Sequence, residues 1–311
     1  MFQPTTDSDS LYLVAPPNSP DGAQGADGKV VPIRPEQEKK APRVLAVTSG
    51  KGGVGKSFIS ANLGLCLAAT GRKVLMIDAD LGLANLDLML GVAAKDSIRE
   101  VLNDDTPISE AIAKGPRGVS LLSACSGDFD IAEMDEKSRL SLFNAIDSLE
   151  SDFDTLLIDT GAGIGSNAIG FAAAAQQVLV VVTPDPASMA DAYAMIKVLN
   201  TRCGVKRVNL VVNMASGPQE AEMIVERILN LVARFLDVSV IPVGFVYRDE
   251  AVRRSIRACE PLVMKYPKAP VAASLRALTQ RLLAEDPGES SWGGPQLFWK
   301  KIMGLSEEGA Q

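Results

Sequence analysis

Residues 44–57, VLAVTSGKGGVGKS, constrain what this chain can fold into more than any other stretch. A short apolar run at 44–47 breaks into a glycine-rich turn that ends in Lys56 and Ser57. The pattern G-x-x-x-x-G-K-S fits over 50–57, and its chemistry works only between the end of a strand and the start of a helix. Gly50, Gly52, Gly53 and Gly55 let backbone N–H groups turn inward around phosphate oxygens, in conformations that a Cβ would obstruct. The following helix aims its positive end at the same anion. Lys56 can reach the β- and γ-phosphates, and the Ser57 hydroxyl can ligate Mg²⁺. The stretch therefore nominates a nucleotide cradle made of Gly50, Lys51, Gly52, Gly53, Val54, Gly55, Lys56, Ser57 and Phe58.

A strand before this loop implies a sheet, and the rest of the chain supplies one. Apolar runs at 44–48, 73–77, 119–122, 154–158, 178–183, 208–213 and 238–243 read as strands. Several are apolar throughout, as parallel strands covered on both faces must be. Helical patterns fall between them at 57–69, 135–149, 167–175, 187–200 and 220–235, and two more close the fold at 250–258 and 270–283. Residues 96–113 read as short helices. This alternation predicts an α/β fold, a doubly wound and mainly parallel β-sheet with helices on both faces. Binding residues should then collect at the carboxyl ends of the strands. The polar residues found there are Ser49, Asp78, Asp80, Asp159, Thr183 and Asn213.

Residues 1–42 are rich in Pro, Gly, Asp and Ser and read as a disordered arm; 43–285 form the expected nucleotide-binding domain, and 286–311 a linker and tail. A net charge of −7 removes any global pull toward nucleic acid. The absence of histidine removes histidine catalysis. Cys66, Cys125, Cys203 and Cys259 form no C-x-x-C pair, which points to free thiols in a reducing cytoplasm rather than disulfides or a cluster. No run of about 18 apolar residues is present to span a membrane.

Three carboxylates carry the expected chemistry. Asp159 ends TLLID and can hold the Mg²⁺ shell; it opens DTGAGIG, whose glycines permit a loop that rearranges on hydrolysis. Asp78 and Asp80 are an i, i+2 pair that shares a face if the strand continues and diverges if the chain turns. One of the two is expected to orient water and the other to support Mg²⁺.

Lys51 adds a second cation inside the glycine loop. K-G-G-V-G-K-S at 51–57 resembles the deviant phosphate loop of the MinD/ParA family, a SIMIBI-type branch of the P-loop NTPases. DADLGLANLDLMLG, DTGAGIG, DPASMADAYAMIKVLN and RDEAVRRSIRACEPLV narrow the resemblance to MinD-like ATPases that set flagellar number and placement, called FlhG or FleN. The resemblance covers about residues 43–283. It implies ATP and Mg²⁺ as cofactors and an ATP-bound homodimer, with Lys51 reaching the partner's nucleotide. It makes Lys51, Lys56 and Asp80 the catalytic set and Ser57, Asp80 and Asp159 the metal set, with Asp80 orienting water. It also assigns Asn213 to the adenine edge and the backbone after Ile241-Pro242 to the matching wall. Partners implied are a flagellar assembly GTPase, basal-body proteins or a transcription regulator. The N-terminal arm lacks the D-Q-A-type sequence that stimulates the GTPase in that family.

The tail, PQLFWKKIMGL at 295–305, follows a Gly-Gly-Pro linker. Leu297, Phe298, Trp299 and Ile302 with Lys300 and Lys301 suit a short helix on an anionic membrane, or one docked on the core. A cytoplasmic protein that is peripheral at the inner membrane in its ATP state is the resulting expectation. Arg248, Arg253, Arg254 and Arg257 form a basic cluster that suits a solvated face or a partner surface better than DNA. A ParA-type chromosome or plasmid partition ATPase, or a division-site positioning ATPase, with ATP-dependent DNA or membrane binding, is the alternative function.

Overall fold

The computed structural model describes residues 42–81, 84–94, 96–103, 106–124, 136–149 and 152–285. Expectations for the N-terminal arm, Cys125 and the tail, including Leu297, Phe298, Trp299, Lys300, Lys301 and Ile302, lie outside the described residues. No helix among the described residues is long and apolar enough to cross a membrane.

Eight strands form one sheet in the order β3-β4-β2-β5-β1-β6-β7-β8. They are β1 (Arg43–Ser49), β2 (Val74–Ala79), β3 (Ile112–Lys114), β4 (Ser120–Leu122), β5 (Thr155–Ala162), β6 (Gln177–Val182), β7 (Arg207–Ala215) and β8 (Ser239–Tyr247). Every adjacent pair is parallel except β3 with β4. That pair corrects the reading of 96–113 as helices alone. The segment holds α3 (Ile98–Leu102) and α4 (Ile108–Ala111) and then turns into the antiparallel edge strand β3.

The strands are apolar throughout because both faces are covered. On one face Leu45, Val47, Met76, Leu157, Leu179 and Val211 pack under α1 (Lys56–Ala68), α10 (Leu262–Lys265) and α11 (Pro270–Ala284). On the other, Val44, Ala46, Leu75, Ile77, Leu156 and Ile158 meet α5 (Glu136–Asp147) and α6 (Ser166–Ala174). Val180, Val182, Leu210 and Val212 on that face meet α7 (Pro186–Cys203) and α8 (Pro218–Phe235). The period-2 alternation thus runs between two cores rather than between core and water. The remaining helices are α2 (Leu86–Leu90) and α9 (Glu250–Arg257).

The central strand is β1. After it the chain adds β2 to β5 on one side and then β6 to β8 on the other. The carboxyl end of β1 is therefore a topological switch point, where an open α/β sheet leaves a crevice for ligand.

Candidate functional site

Residues 50–55 cross that crevice from β1 into α1. Gly55 has φ 89° and is the N-terminal boundary of α1, with no side-chain cap and no acidic residue in the first turn. The first N–H groups of the helix are left to an anion. Gly53 has φ 78° and an open surround. Gly50 serves close approach instead: a Cβ there would overlap the Asp191 carbonyl on α7. Gly52 lies beside Ala162. Ser49 Oγ donates to the Lys51 carbonyl at 2.7 Å, and the Gly163 N–H donates to the Ser49 carbonyl at 3.0 Å. The phosphate loop and the β5–α6 loop are thereby joined.

The carboxylates sit beside this cradle. Asp78 and Asp159 are direct register partners on β2 and β5, and Asp159 also faces Val47 of β1. Both are buried. Ser60 Oγ of α1 donates to Asp159 Oδ1 at 2.8 Å. Asp159 Oδ2 is buried without a hydrogen-bond partner among the described residues. Burial pushes the Asp159 carboxyl up to about 6, against the pull of Ser57, Lys56 and Ser60, and Asp80 adds to the rise. Asp78 is pushed up to about 7, by burial first and then by Asp159. A buried, unpartnered carboxylate oxygen beside Ser57 and Lys56 suits a divalent cation completed by phosphate and water, as Mg²⁺ requires. The residues present fit that ion.

Strand β2 ends at Ala79 and the chain turns, so Asp78 and Asp80 diverge. Asp80 Oδ1 lies 3.7 Å from the position a Cβ would take on Gly161. Asp80 is thus brought to the carboxyl end of β5, within electrostatic reach of Asp159.

The two lysines of the loop part company. Lys56 is buried at the start of α1. Lys51 is 41% exposed, and its Nζ donates to Asp185 Oδ2 at 2.6 Å. Asp185 caps α7 by accepting the Ala187 N–H at 3.2 Å. The hydrogen bond between them holds the Lys51 ammonium above and the Asp185 carboxyl below their ordinary ranges. Asp185 carried no expected role. Its Asp-Pro pair at a helix start was a visible capping signal, but the Lys51 contact spans 134 residues of sequence.

Asn213, at the end of β7, is 3% exposed, and its Nδ2 donates to the Val54 carbonyl at 2.7 Å. The same amide would meet a Cβ at Gly55, so that glycine answers both to its φ and to Asn213. A cleft of about 480 Å³ opens beside Gly55, lined also by Phe58, Asn213, Met214, Tyr247 and Arg248. Pro242, expected near the far wall, is not among the residues that line this cleft. Pro242 pairs with Leu210, well below Asn213, and a bulge follows at Val243-Gly244, where Gly244 has φ 136°. The edge strand then runs on to Tyr247, so the wall comes from Tyr247 and Arg248. Proline suits an edge strand beside a bulge, where a missing N–H is tolerated.

Comparison with known proteins agrees with this arrangement. A family model described as an AAA domain matches residues 42–210. The antiactivator FleN of Pseudomonas aeruginosa is 38% identical over 240 residues, which cover 77% of this chain and 86% of FleN. The flagellum site-determining protein YlxH of Helicobacter pylori is 38% identical over 189 residues, 61% of this chain and 64% of YlxH. Among solved structures, the septum site-determining protein MinD of Pyrococcus horikoshii, complexed with Mg-ADP, matches with a TM-score of 0.65 at 25% identity. The match covers 80% of this chain and 99% of that one. With the lysine pair of its loop, the paired strand-end carboxylates and these relatives, the chain belongs to the MinD/ParA family of P-loop ATPases.

Proposed function

We propose that the chain is an ATP-hydrolysing switch that dimerises around its nucleotide and controls the number or placement of flagella, or of a related polar machine. Lys51 carries this reading. It stands on the outer lip of a complete phosphate cradle, half exposed and tied to Asp185 by a surface ion pair. A solvent-screened surface pair of this kind contributes little, so the ammonium is released at small cost toward a second copy's phosphates.

In this reading the backbone N–H groups of 50–58 and Lys56 hold the phosphates, and adenine occupies the cleft between Asn213 and Tyr247. Ser57 and Asp159 would hold Mg²⁺, which would supply neutralisation of the charge that develops on the transferred phosphoryl group. Asp80, beside Gly161 at the carboxyl end of β5, orients the attacking water; positioning and charge neutralisation are most of what phosphoryl transfer needs. FleN is named an antiactivator and YlxH a flagellum site-determining protein, which supports the flagellar setting. The protein works in the cytoplasm and meets an anionic inner-membrane surface through 295–305. One short apolar and basic segment binds weakly, and two copies in a dimer bind by avidity.

The test uses Asp80→Ala, expected to bind ATP, dimerise and turn over at least a hundredfold more slowly than wild type. Light scattering reads the dimer, and sedimentation with anionic vesicles reads the membrane. Deleting 286–311 should remove vesicle binding and leave the dimer. A chain that stays monomeric with ATP sinks the proposal; ATP-dependent, salt-sensitive sedimentation with DNA in place of vesicles points to a partition ATPase.

A further inference from the structure

Asp78 is fully buried at the end of β2, and both of its carboxylate oxygens accept backbone N–H groups from the segment that follows. Oδ1 accepts the Asp80 N–H at 3.1 Å. Oδ2 accepts the N–H groups of Asn85 at 3.0 Å and Leu86 at 2.9 Å. Leu86 opens α2, and the residue before it, Asn85, makes no side-chain cap. The first N–H groups of a helix have no partner within it. Asp78 therefore supplies from the strand the cap that α2 lacks, and one carboxylate ties together both ends of the loop that carries Asp80.

Asp159, its register partner, is the opposite case. Its Oδ2 is buried with no hydrogen-bond partner among the described residues. Of the two adjacent carboxylates, one has an oxygen available to a ligand and the other has both oxygens committed to backbone.

We propose that Asp78 is a positioning residue, neither a metal ligand nor the group that orients water: it pins the Asp80 loop at both ends and so sets where the Asp80 carboxylate stands. The inference rests on the reading of Asp80 given above. A misplacement of about 1 Å at a reacting group can cost on the order of a hundredfold in rate. Asn at position 78 keeps the size of the side chain but offers one acceptor oxygen in place of two.

Asp78→Asn should lower kcat at least tenfold. The affinity for a fluorescent ATP analogue and the Mg²⁺ concentration for half-maximal activity should stay within twofold of wild type. In hydrogen exchange the amides of Asp80, Asn85 and Leu86 should exchange at least tenfold faster in the variant, with the amides of 50–57 unchanged. Unchanged kcat overturns the proposal. So does a tenfold rise in the Mg²⁺ requirement with those amides still protected, which would make Asp78 a metal ligand. Should the variant fail to fold, wild type decides: the three amides must be protected together, and fast exchange at all three overturns the anchor. Protection of the three amides alongside full turnover in Asp80→Ala would retain the anchor and discard the role given to Asp80.

Discussion

The two ends of the phosphate loop carry the same residue type into different surroundings. At the inner end Lys56 is buried in the first turn of α1, beneath a loop held by the Asn213 amide. At the outer lip Lys51 is half exposed, paired with Asp185 on α7. The inner end is built to fix one geometry, because its glycines answer to Asn213 and to the helix it begins. The lip combines a backbone pressed onto α7 at Gly50 with a side chain whose partner costs little to leave. In the proposed reading, the cation that serves the chain's own nucleotide is sheltered and the one that serves a second copy's stays at the surface.

The largest test of this contrast replaces each lysine. Lys56→Ala should weaken binding of a fluorescent ATP analogue on the order of a hundredfold or more, since a buried charge at the phosphates is lost. Lys51→Ala should bind the analogue within about threefold of wild type and lose ATP-dependent dimerisation in light scattering. Equal losses of nucleotide affinity in the two variants would erase the distinction.

Glycine replacement sharpens it at the backbone. Gly50→Ala must push against the Asp191 carbonyl, main chain that cannot rotate away, and should lower stability by about 1–3 kcal/mol. Gly53→Ala meets open space and carries only the cost of its positive φ, about 1–2 kcal/mol. Urea denaturation measures both, and a Gly53 variant less stable than the Gly50 variant would contradict the packing account.

The smallest expected effect is on pH dependence. Asp78 and Asp159 have native carboxyl groups raised from 3.8 to about 7 and about 6. Between about pH 4 and pH 7 the native chain thus holds protons at these sites that the unfolded chain has released. Stability from these two groups is full at the low end and is lost as pH rises through the native values. Without nucleotide, Asp159→Asn should show a shallower fall in melting temperature from pH 5 to pH 8 than wild type. A steeper fall would reverse the sign.

Much of this was legible in the chain. The glycine loop, the uniformly apolar strands and their spacing with helices led directly to a mainly parallel sheet, and strand ends marked Asp78, Asp159 and Asn213. Three things were not legible. The bulge at Val243-Gly244 shifts the pairing of β7 with β8, and it is Tyr247 at the end of β8 that lines the cleft beside Asn213. The edge strand β3 was too short to show a period of its own. The i, i+2 spacing gave Asp78 no distinct role, and the backbone N–H groups that its two oxygens accept supply one.

The sequence alone determined the phosphate loop, since glycine spacing and a lysine–serine pair are local requirements of backbone conformation and anion chemistry. It determined the layered fold too, because period and composition report whether a strand is covered on one face or two. Only the tertiary structure decided which carboxylate anchors and which has an oxygen open to a ligand. It also decided where Lys51 rests and which residues wall the cleft. Those are matters of which distant segments meet, and pairing register and burial do not show in the order of residues along the chain.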